Sequence, residues 1–134
     1  MSKQVFISLP VADLPKSVAF FSALGYASNP DFTSAASACI VINDTTFAML
    51  LTHAKWQGMT TKAICDARKS AEVSINLSCE SRAQVDALVA KAAAAGGSAT
   101  GQPEDHGFMY HHGFADPDGH EWGVFWMGAP PPQA

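Results

Sequence analysis

Glu72 and Glu121 are the carboxylates of this chain whose spacing could place them in a binding cavity. Glu72 opens an alternating stretch whose apolar members are Val73, Ile75 and Leu77, so on a strand it faces away from them. An inward Glu72 could act as a metal-free general base that abstracts a proton next to a carbonyl. Together the two glutamates could instead bind a divalent metal. The alternatives are that Glu72 only binds a polar ligand group and that Glu121 is a solvated rim carboxylate.

The five histidines show no spacing typical of a metal site or a catalytic motif. His111 and His112 are adjacent, so on a strand they face opposite sides and only one can line a cavity. The stretch Glu104–His106 is predicted to be a loop. His120 follows a turn and is predicted to cap a hairpin, whereas His53 begins a connector with no visible partner.

Length and composition restrict the classes of protein to which the chain can belong. Its 134 residues allow one compact domain or two small modules, and 48% hydrophobic residues indicate a globular core. Twelve acidic against eight basic residues give a net charge of −4, and no basic run predicts contact with nucleic acid. Apolar runs such as Ala38–Ile42 are too short to span a membrane.

Three features predict a cytoplasmic protein with an extended tail. Met1–Pro10 lacks the pattern of a secretory signal. Cys39, Cys65 and Cys79 are odd in number and widely spaced, which favours thiols in a reducing compartment over disulfides. The proline-rich stretch 128–134 predicts a flexible tail.

The first half of the chain predicts a strand, a helix and a hairpin. Gln4–Val11 alternates between apolar and polar residues, which is typical of a half-buried strand. Asp13 can cap the following helix, and Gly25 can end it. The apolar runs Ser37–Ile42 and Thr45–Leu51 predict two hairpin strands.

The second half repeats this order. Glu72–Leu77 predicts a strand, and the capping box Ser81–Gln84 begins a helix that ends at Gly96. Phe108–Phe114 and His120–Met127 predict the final two strands. The order indicates a duplicated module.

An alignment of the halves predicts which positions are equivalent. It pairs Phe6 with Glu72, Val18 with Val85, Gly25 with Gly96, and Asp44 with Gly119. We therefore predict one domain, 1–134, built from a first module 3–51, a connector 52–71 and a second module 72–127, followed by the tail.

Three stretches carry a resemblance to a known family. They are LPVADLPKSVAFF from Leu9, FAMLLT from Phe47, and FADPDGHEW from Phe114. In these stretches the chain resembles the vicinal oxygen chelate superfamily of glyoxalases, bleomycin-resistance proteins and extradiol dioxygenases. It is similar to the small bacterial proteins called lactoylglutathione lyase-like. The resemblance implies an α+β fold in which paired βαβββ modules curl a mixed sheet around a cavity, often completed in a homodimer.

The resemblance also implies where a metal would bind. Metal-dependent members carry one ligand on each of four strands, and these positions map to Phe6, Ala48, Glu72 and Gly123. Only Glu72 can bind a metal, whereas a catalytic divalent cation needs about three protein ligands. We therefore expect no cofactor, unless Glu72 and Glu121 together hold a divalent metal.

The same alternation predicts the lining of the cavity. Trp56 in the connector could form a lid, or could anchor the connector to the sheet. The predicted inward residues are Phe6, Ser8, Pro10, Thr46, Leu50, Glu72, Ser74, Asn76, Glu121, Phe125 and Met127. Trp122, Val124 and Trp126 are predicted to face the helices as core. Apolar walls with a few polar groups are typical of a small-molecule pocket.

These observations predict a small-molecule binding protein. We expect metal-free binding of a hydrophobic or aromatic molecule by a cytoplasmic homodimer. The alternative is a lactoylglutathione lyase-like or dioxygenase-like metalloenzyme with a degenerate metal site. As an enzyme it would be a glyoxalase-like lyase or isomerase that uses Glu72 as base or ligand.

Overall fold

Two mixed β-sheets carry the fold, and the computed structural model describes residues 3–128 of the chain. The elements are β1 Val5–Val11, α1 Leu14–Ala23, β2 Ser28–Asn29, a 3-10 turn Pro30–Phe32, β3 Ser37–Val41, β4 Thr46–Thr52, α2 His53–Gln57, β5 Ile75–Cys79, α3 Arg82–Ala94, β6 Ser98–Ala99, β7 Glu104–Asp105, β8 Met109–Ala115 and β9 Glu121–Met127.

Each sheet belongs to its own compact unit. The first unit ends at Asp66, and the second begins at Ala67. The first sheet has the order β1-β4-β3-β2. The second has the order β5-β9-β8-β6, and β7 also pairs with β8. In both sheets the first strand pairs in parallel with the last long strand, and the remaining pairs are antiparallel. The predicted α+β class is confirmed.

The predicted ends of both long helices are confirmed. The Asp13 carboxylate accepts the Lys16 N–H at 3.1 Å, and the Ser81 hydroxyl accepts the Gln84 N–H at 3.1 Å. Gly25 and Gly96, just after the two helices, have φ of 101° and 108°. Only glycine adopts such a left-handed conformation without strain, so these two positions terminate the helices.

The hairpin turns show that the alignment of the halves is one residue wrong in the last strands. In the first hairpin the Ile42 N–H donates to the Thr46 carbonyl, and in the second the Asp116 N–H donates to the His120 carbonyl. Both turns therefore have the same length, and Gly119 corresponds to Thr45 instead of Asp44. A shift of one residue moves a side chain to the other face of a sheet.

The corrected register replaces Ala48 by Met49 as the counterpart of Gly123. Ser8 and Asn76 lie five residues before their helix caps, Asp13 and Ser81. Met49 pairs with Ser8, and Gly123 pairs with Asn76.

Three residues predicted on the cavity face of β4 lie on its other face. Ala48 pairs with Ile7, Leu50 with Leu9, and Thr46 with Val5, so all three share the face of β1 that buries Leu9. Ala48 and Leu50 are fully buried, and α1 packs on this sheet. The predicted placements of Thr46, Ala48 and Leu50 are wrong because the alignment of the two hairpin turns was one residue off.

The predicted strand from Glu72 begins three residues later, at Ile75. Glu72 and Val73 are exposed, and the chain at Glu72 forms a bend. Ser74 lies seven residues before the helix cap of the second module, and Phe6 lies seven residues before the helix cap of the first. Ser74, not Glu72, is therefore the counterpart of Phe6.

The core of the second unit lies between α3 and one face of its sheet. Trp122 and Val124 are buried as predicted, together with Phe114 and Val85. Trp126, predicted as core, is only partly buried.

Two remaining segments complete the described chain. The predicted connector contains α2, and its Trp56 is partly buried. Within residues 3–128, none of the helices has the length and hydropathy of a membrane span. The predicted tail, 128–134, lies outside the described residues apart from Gly128, whose N–H donates to the Phe108 carbonyl.

Asp116 organises the turn between β8 and β9 from a buried position. Its Oδ1 accepts the N–H groups of Asp118 and His120 at 3.1 and 3.0 Å. Its Oδ2 accepts the indole N–H of Trp122 at 3.2 Å. Burial raises the pKa of the Asp116 carboxyl, and the His120 charge and the Trp122 hydrogen bond oppose that shift. Asp116 therefore connects the turn to the core.

We predict that Asp116→Asn destabilises the protein by about 1–3 kcal/mol. The asparagine NH₂ group would replace one carboxylate oxygen, and next to the Trp122 indole N–H it would leave a buried donor without an acceptor. Urea denaturation measures the free energy of unfolding. Asp44→Asn, at an exposed position in the other hairpin turn, is the matched control and should change stability by less than about 0.5 kcal/mol. Equal losses in both variants would contradict this role of Asp116.

Candidate functional site

Two glycines opposite each other open a groove on the second sheet. Gly113 of β8 pairs directly with Gly123 of β9. They share the face that carries Glu121 and Phe125, opposite the face on which Trp122 and Val124 pack. Because neither glycine has a side chain, the sheet surface is recessed at this point.

Polar side chains lie over both glycines. A Cβ atom at Gly123 would lie 1.9 Å from Oδ1 of Asn76, and one at Gly113 would lie 2.6 Å from Oγ1 of Thr100. Asn76 therefore occupies the space that a side chain at Gly123 would need. An amide and a hydroxyl, which can donate and accept hydrogen bonds, cover the recess.

The groove has a polar part of about 450 Å³ and an adjoining, more apolar part of about 370 Å³. The polar part is lined among others by Ser74, Thr100, Gln102, Glu104, His111 and Glu121. The apolar part is lined among others by Asn76, Met109, His111, Phe125 and Met127. Each part is large enough for a small ligand.

Five residues predicted to bind a small molecule line this groove. They are Ser74, Asn76, Glu121, Phe125 and Met127. Glu72 is not among the lining residues, and its exposed position removes the inward placement on which its predicted role as a base depended. That role stays a prediction.

The other predicted cavity residues belong to the first unit. Phe6 is half exposed and stacks on Phe47, with 4.9 Å between the ring centroids. Ser8 and Pro10 share this face of β1, and both are partly buried. Trp56 lies on α2, which packs on β4. Their predicted contact with a ligand stays a prediction.

The two adjacent histidines face opposite sides of β8, as the alternation predicts. His111 pairs with Phe125 on the groove face, and His112 pairs with the buried Val124. The Nε2 atom of His112 lies 3.2 Å from the Gly101 carbonyl oxygen. The strand position of His111 therefore faces the groove, and His112, on the other face of β8, also contributes to the lining of both parts of the groove.

Sequence reasoning missed Glu104 and His106 because it placed them in a loop. Glu104 and Asp105 instead form the short strand β7, with Glu104 opposite His111. The His106 N–H donates to the Met109 carbonyl at 2.8 Å and closes the hairpin. The alternation of Glu104 and His106 was the available signal, because it puts both on one face of a strand.

Arg82 holds this hairpin from the opposite face. Its guanidinium donates two hydrogen bonds of 3.1 Å to the Asp105 carboxylate and one of 2.9 Å to the Gly107 carbonyl. The same guanidinium lies 4.5 Å from the centroid of the Trp126 ring. The Arg82 hydrogen bond and that from the Gly107 N–H lower the pKa of Asp105.

A second contact joins α3 to β8. The Tyr110 hydroxyl donates to the Asp86 carboxylate at 2.5 Å, and this hydrogen bond raises the pKa of Tyr110. Asp86 lies one helical turn after Arg82, so one face of α3 contacts both strands of the hairpin. The orientation of β7 and β8 thus depends on α3.

The sequence matches the family model of the glyoxalase/bleomycin resistance protein/dioxygenase superfamily over residues 3–124. The chain therefore belongs to this superfamily. A comparison with curated proteins finds no match.

Solved structures of similar fold include proteins with several kinds of name. A hypothetical protein from S. aureus is 29% identical, with a TM-score of 0.80 over 94% of this chain and 95% of that one. A glyoxalase-related enzyme from Fulvimarina pelagi is 19% identical, with a TM-score of 0.80 over 100% of both chains. TnmS3, an antibiotic binding protein from Streptomyces sp. CB03234, is 20% identical, with a TM-score of 0.66 over 96% of this chain and 98% of that one.

The strand positions that the resemblance implies for metal ligands carry residues that are unsuited to binding a metal in this chain. With the corrected register these positions are Phe6, Met49, Ser74 and Gly123. They offer no carboxylate or imidazole, and the Asn76 amide occupies the space above Gly123. A divalent catalytic metal is typically held by carboxylate, imidazole or thiolate ligands. The chain thus lacks the family's metal ligands at their usual places.

We predict that Arg82→Met accelerates hydrogen exchange of the His106 amide severalfold, because the hairpin loses its hydrogen bonds to α3. Methionine keeps an apolar contact with Trp126, and exchange is measured by NMR. Lys91→Met, at an exposed position on the same helix, is the matched control and should leave this amide unchanged.

In the unaltered protein, acid should likewise lower the protection of the His106 amide, measured by NMR relative to the intrinsic exchange rate at each pH. Because the folded state lowers the pKa of Asp105, the stabilisation by Arg82 is present at neutral pH. It is lost as the pH falls through that lowered pKa, which lies below the usual value of an aspartate. An unchanged His106 exchange rate in Arg82→Met would contradict the role of Arg82.

Proposed function

We propose that the chain binds a small molecule with an aromatic or hydrophobic portion in the groove of its second unit, without converting it chemically. The observation that carries the proposal is the recess at Gly113 and Gly123, with apolar side chains at one end and polar ones at the other. Met127 is 52% exposed on this face. A ligand would cover this apolar surface.

The lining indicates the chemistry of the ligand. Phe125 offers a ring for stacking, and Met109 and Met127 offer flexible thioethers that adapt to varied apolar shapes. Asn76 and Thr100 can donate and accept hydrogen bonds, whereas Glu121 at the polar end only accepts them when ionised. The ligand therefore combines an apolar body with hydrogen-bond donors.

The antibiotic-binding function named for the similar Streptomyces protein supports a binding function. A lactoylglutathione lyase-like or dioxygenase-like activity would need the family's metal ligands, and their strand positions carry none here. Glu72 is exposed and does not line the groove, so no described contact supports its action as a base there. Binding is therefore the better supported function.

Two further parts of the proposal concern assembly and location. The chain acts as a homodimer, as members of this superfamily often do, and its place is the cytoplasm. The odd number of cysteines and the absence of a described disulfide pair fit a reducing compartment.

We predict that Met127→Gln weakens binding of the neutral fluorescent probe N-phenylnaphthylamine about fivefold, because the lost apolar contact is worth ~1 kcal/mol. Fluorescence titration gives the dissociation constant. NMR shifts on probe addition should fall on the amides of β8 and β9.

Met59→Gln is the matched control, since Met59 is 61% exposed in the connector. It should leave the dissociation constant unchanged. Probe binding that is insensitive to Met127→Gln, or shifts that map outside the second sheet, would contradict the proposed groove.

A further inference from the structure

We propose that Glu104, His106 and His111 form a binding site for a divalent transition-metal ion of the zinc class. The site lies on the β7–β8 hairpin, away from the four strand positions that the superfamily uses. It does not depend on the proposed small-molecule function, because it rests on a different ligand chemistry, although Glu104 and His111 also line the polar part of the groove.

Strand geometry puts the three side chains on one face. Glu104 pairs directly with His111 across β7 and β8. Glu104 and His106 are two residues apart on an extended segment, so they face the same side. Cβ atoms of directly opposed residues in antiparallel strands are only about 5 Å apart, and diagonal neighbours lie within reach of long side chains.

The ligand atoms are already close to the spacing that a metal needs. Ligands about 2.1 Å from a tetrahedral zinc lie roughly 3.4 Å from one another. The Glu104 Oε2 and His111 Nε2 atoms are 3.3 Å apart. One ligand atom from each of the three residues lies within 4.8 Å of the others.

The third ligand, His106, needs a rotation of its side chain. The His106 and His111 rings stack with 5.4 Å between centroids and 21° between planes. Because a metal ion lies in the plane of each imidazole that binds it, the His106 ring must turn out of this stack to share an ion with His111. His106 is exposed, so its side chain can rotate without disturbing the core.

Two imidazoles and one carboxylate select the kind of ion. Imidazole suits zinc, nickel, copper and cobalt, whereas calcium and magnesium prefer oxygen ligands. Three protein ligands leave one coordination position open on a zinc ion. Glu104 and His111 both line the polar part of the groove, so that position is accessible to water or a ligand there.

Arg82 supports this arrangement as a positioning residue. It binds Asp105, which lies between Glu104 and His106 and faces the other side of the strand. The backbone that carries both ligands is therefore held by a contact that does not compete for the metal.

The other cluster of potential ligands in residues 3–128, Asp116, Asp118 and His120, does not support such a site. Both carboxylate oxygens of Asp116 already accept hydrogen bonds from the turn and from Trp122. Binding a metal would break these buried contacts.

The test uses the full chain without an affinity tag, stripped with a chelator and exchanged into metal-free buffer. Isothermal titration with Zn²⁺ should show about one ion per chain, and Co²⁺ should give the visible absorption bands of a low-coordination site. A large excess of Mg²⁺ should not compete.

Variants locate the ion. His106→Gln and His111→Gln should each weaken Zn²⁺ binding by more than the roughly tenfold to hundredfold typical of losing an outer-shell partner. Circular dichroism of each variant confirms that it is folded. His53→Gln and Glu72→Gln, both at exposed positions outside the cluster, are the matched controls and should bind like the unaltered chain.

Three results would overturn the proposal. They are no stoichiometric binding, binding that persists in both His106→Gln and His111→Gln, and an equal loss in the controls. Loss in Glu72→Gln alone would place the metal at Glu72, outside the cluster. Probe binding by the metal-stripped chain tests the proposed function separately, so the two proposals can fail independently.

Discussion

The cross-strand pair of Gly113 and Gly123 is the constraint on which the groove depends. Two residues without side chains, directly opposite on neighbouring strands, leave a recess into which the Asn76 amide and the Thr100 hydroxyl reach, and a larger pair would clash with both. Their positions follow from the pairing of β8 with β9, and Asn76 reaches the recess because β5 pairs with β9 on the other side. The recess, the amide above it and the apolar residues beside it are therefore consequences of one strand register.

The two faces of the second sheet have different roles, one in packing and one in forming the groove. One face packs Trp122 and Val124 against α3 and provides stability. The other carries the groove and the Glu104, His106 and His111 cluster. Arg82 connects the two roles, because it binds the hairpin through Asp105 while lying over Trp126. A change in the core can thus alter the orientation of residues on the groove face.

Local sequence signals predicted the elements well because their causes are local. Asp13 and Ser81 cap helices through hydrogen bonds within one turn, and glycines end the same helices through a permitted backbone conformation. The strand faces of β1 and β9 also followed from alternation. Errors arose where two strands had to be compared. Counting one residue too many in a turn moved the predicted site in β4 to Ala48, a core position.

The sequence by itself determined the α+β class, the repeated order of elements, the superfamily, and five of the residues that line the groove. Only the tertiary structure decided which residues oppose each other. It put Met49 opposite Ser8, left Glu72 outside β5, and brought Glu104 opposite His111. Propensity and alternation act within a few residues of chain. Register depends on hydrogen bonds between distant segments, and a single residue of shift reverses which face a side chain occupies.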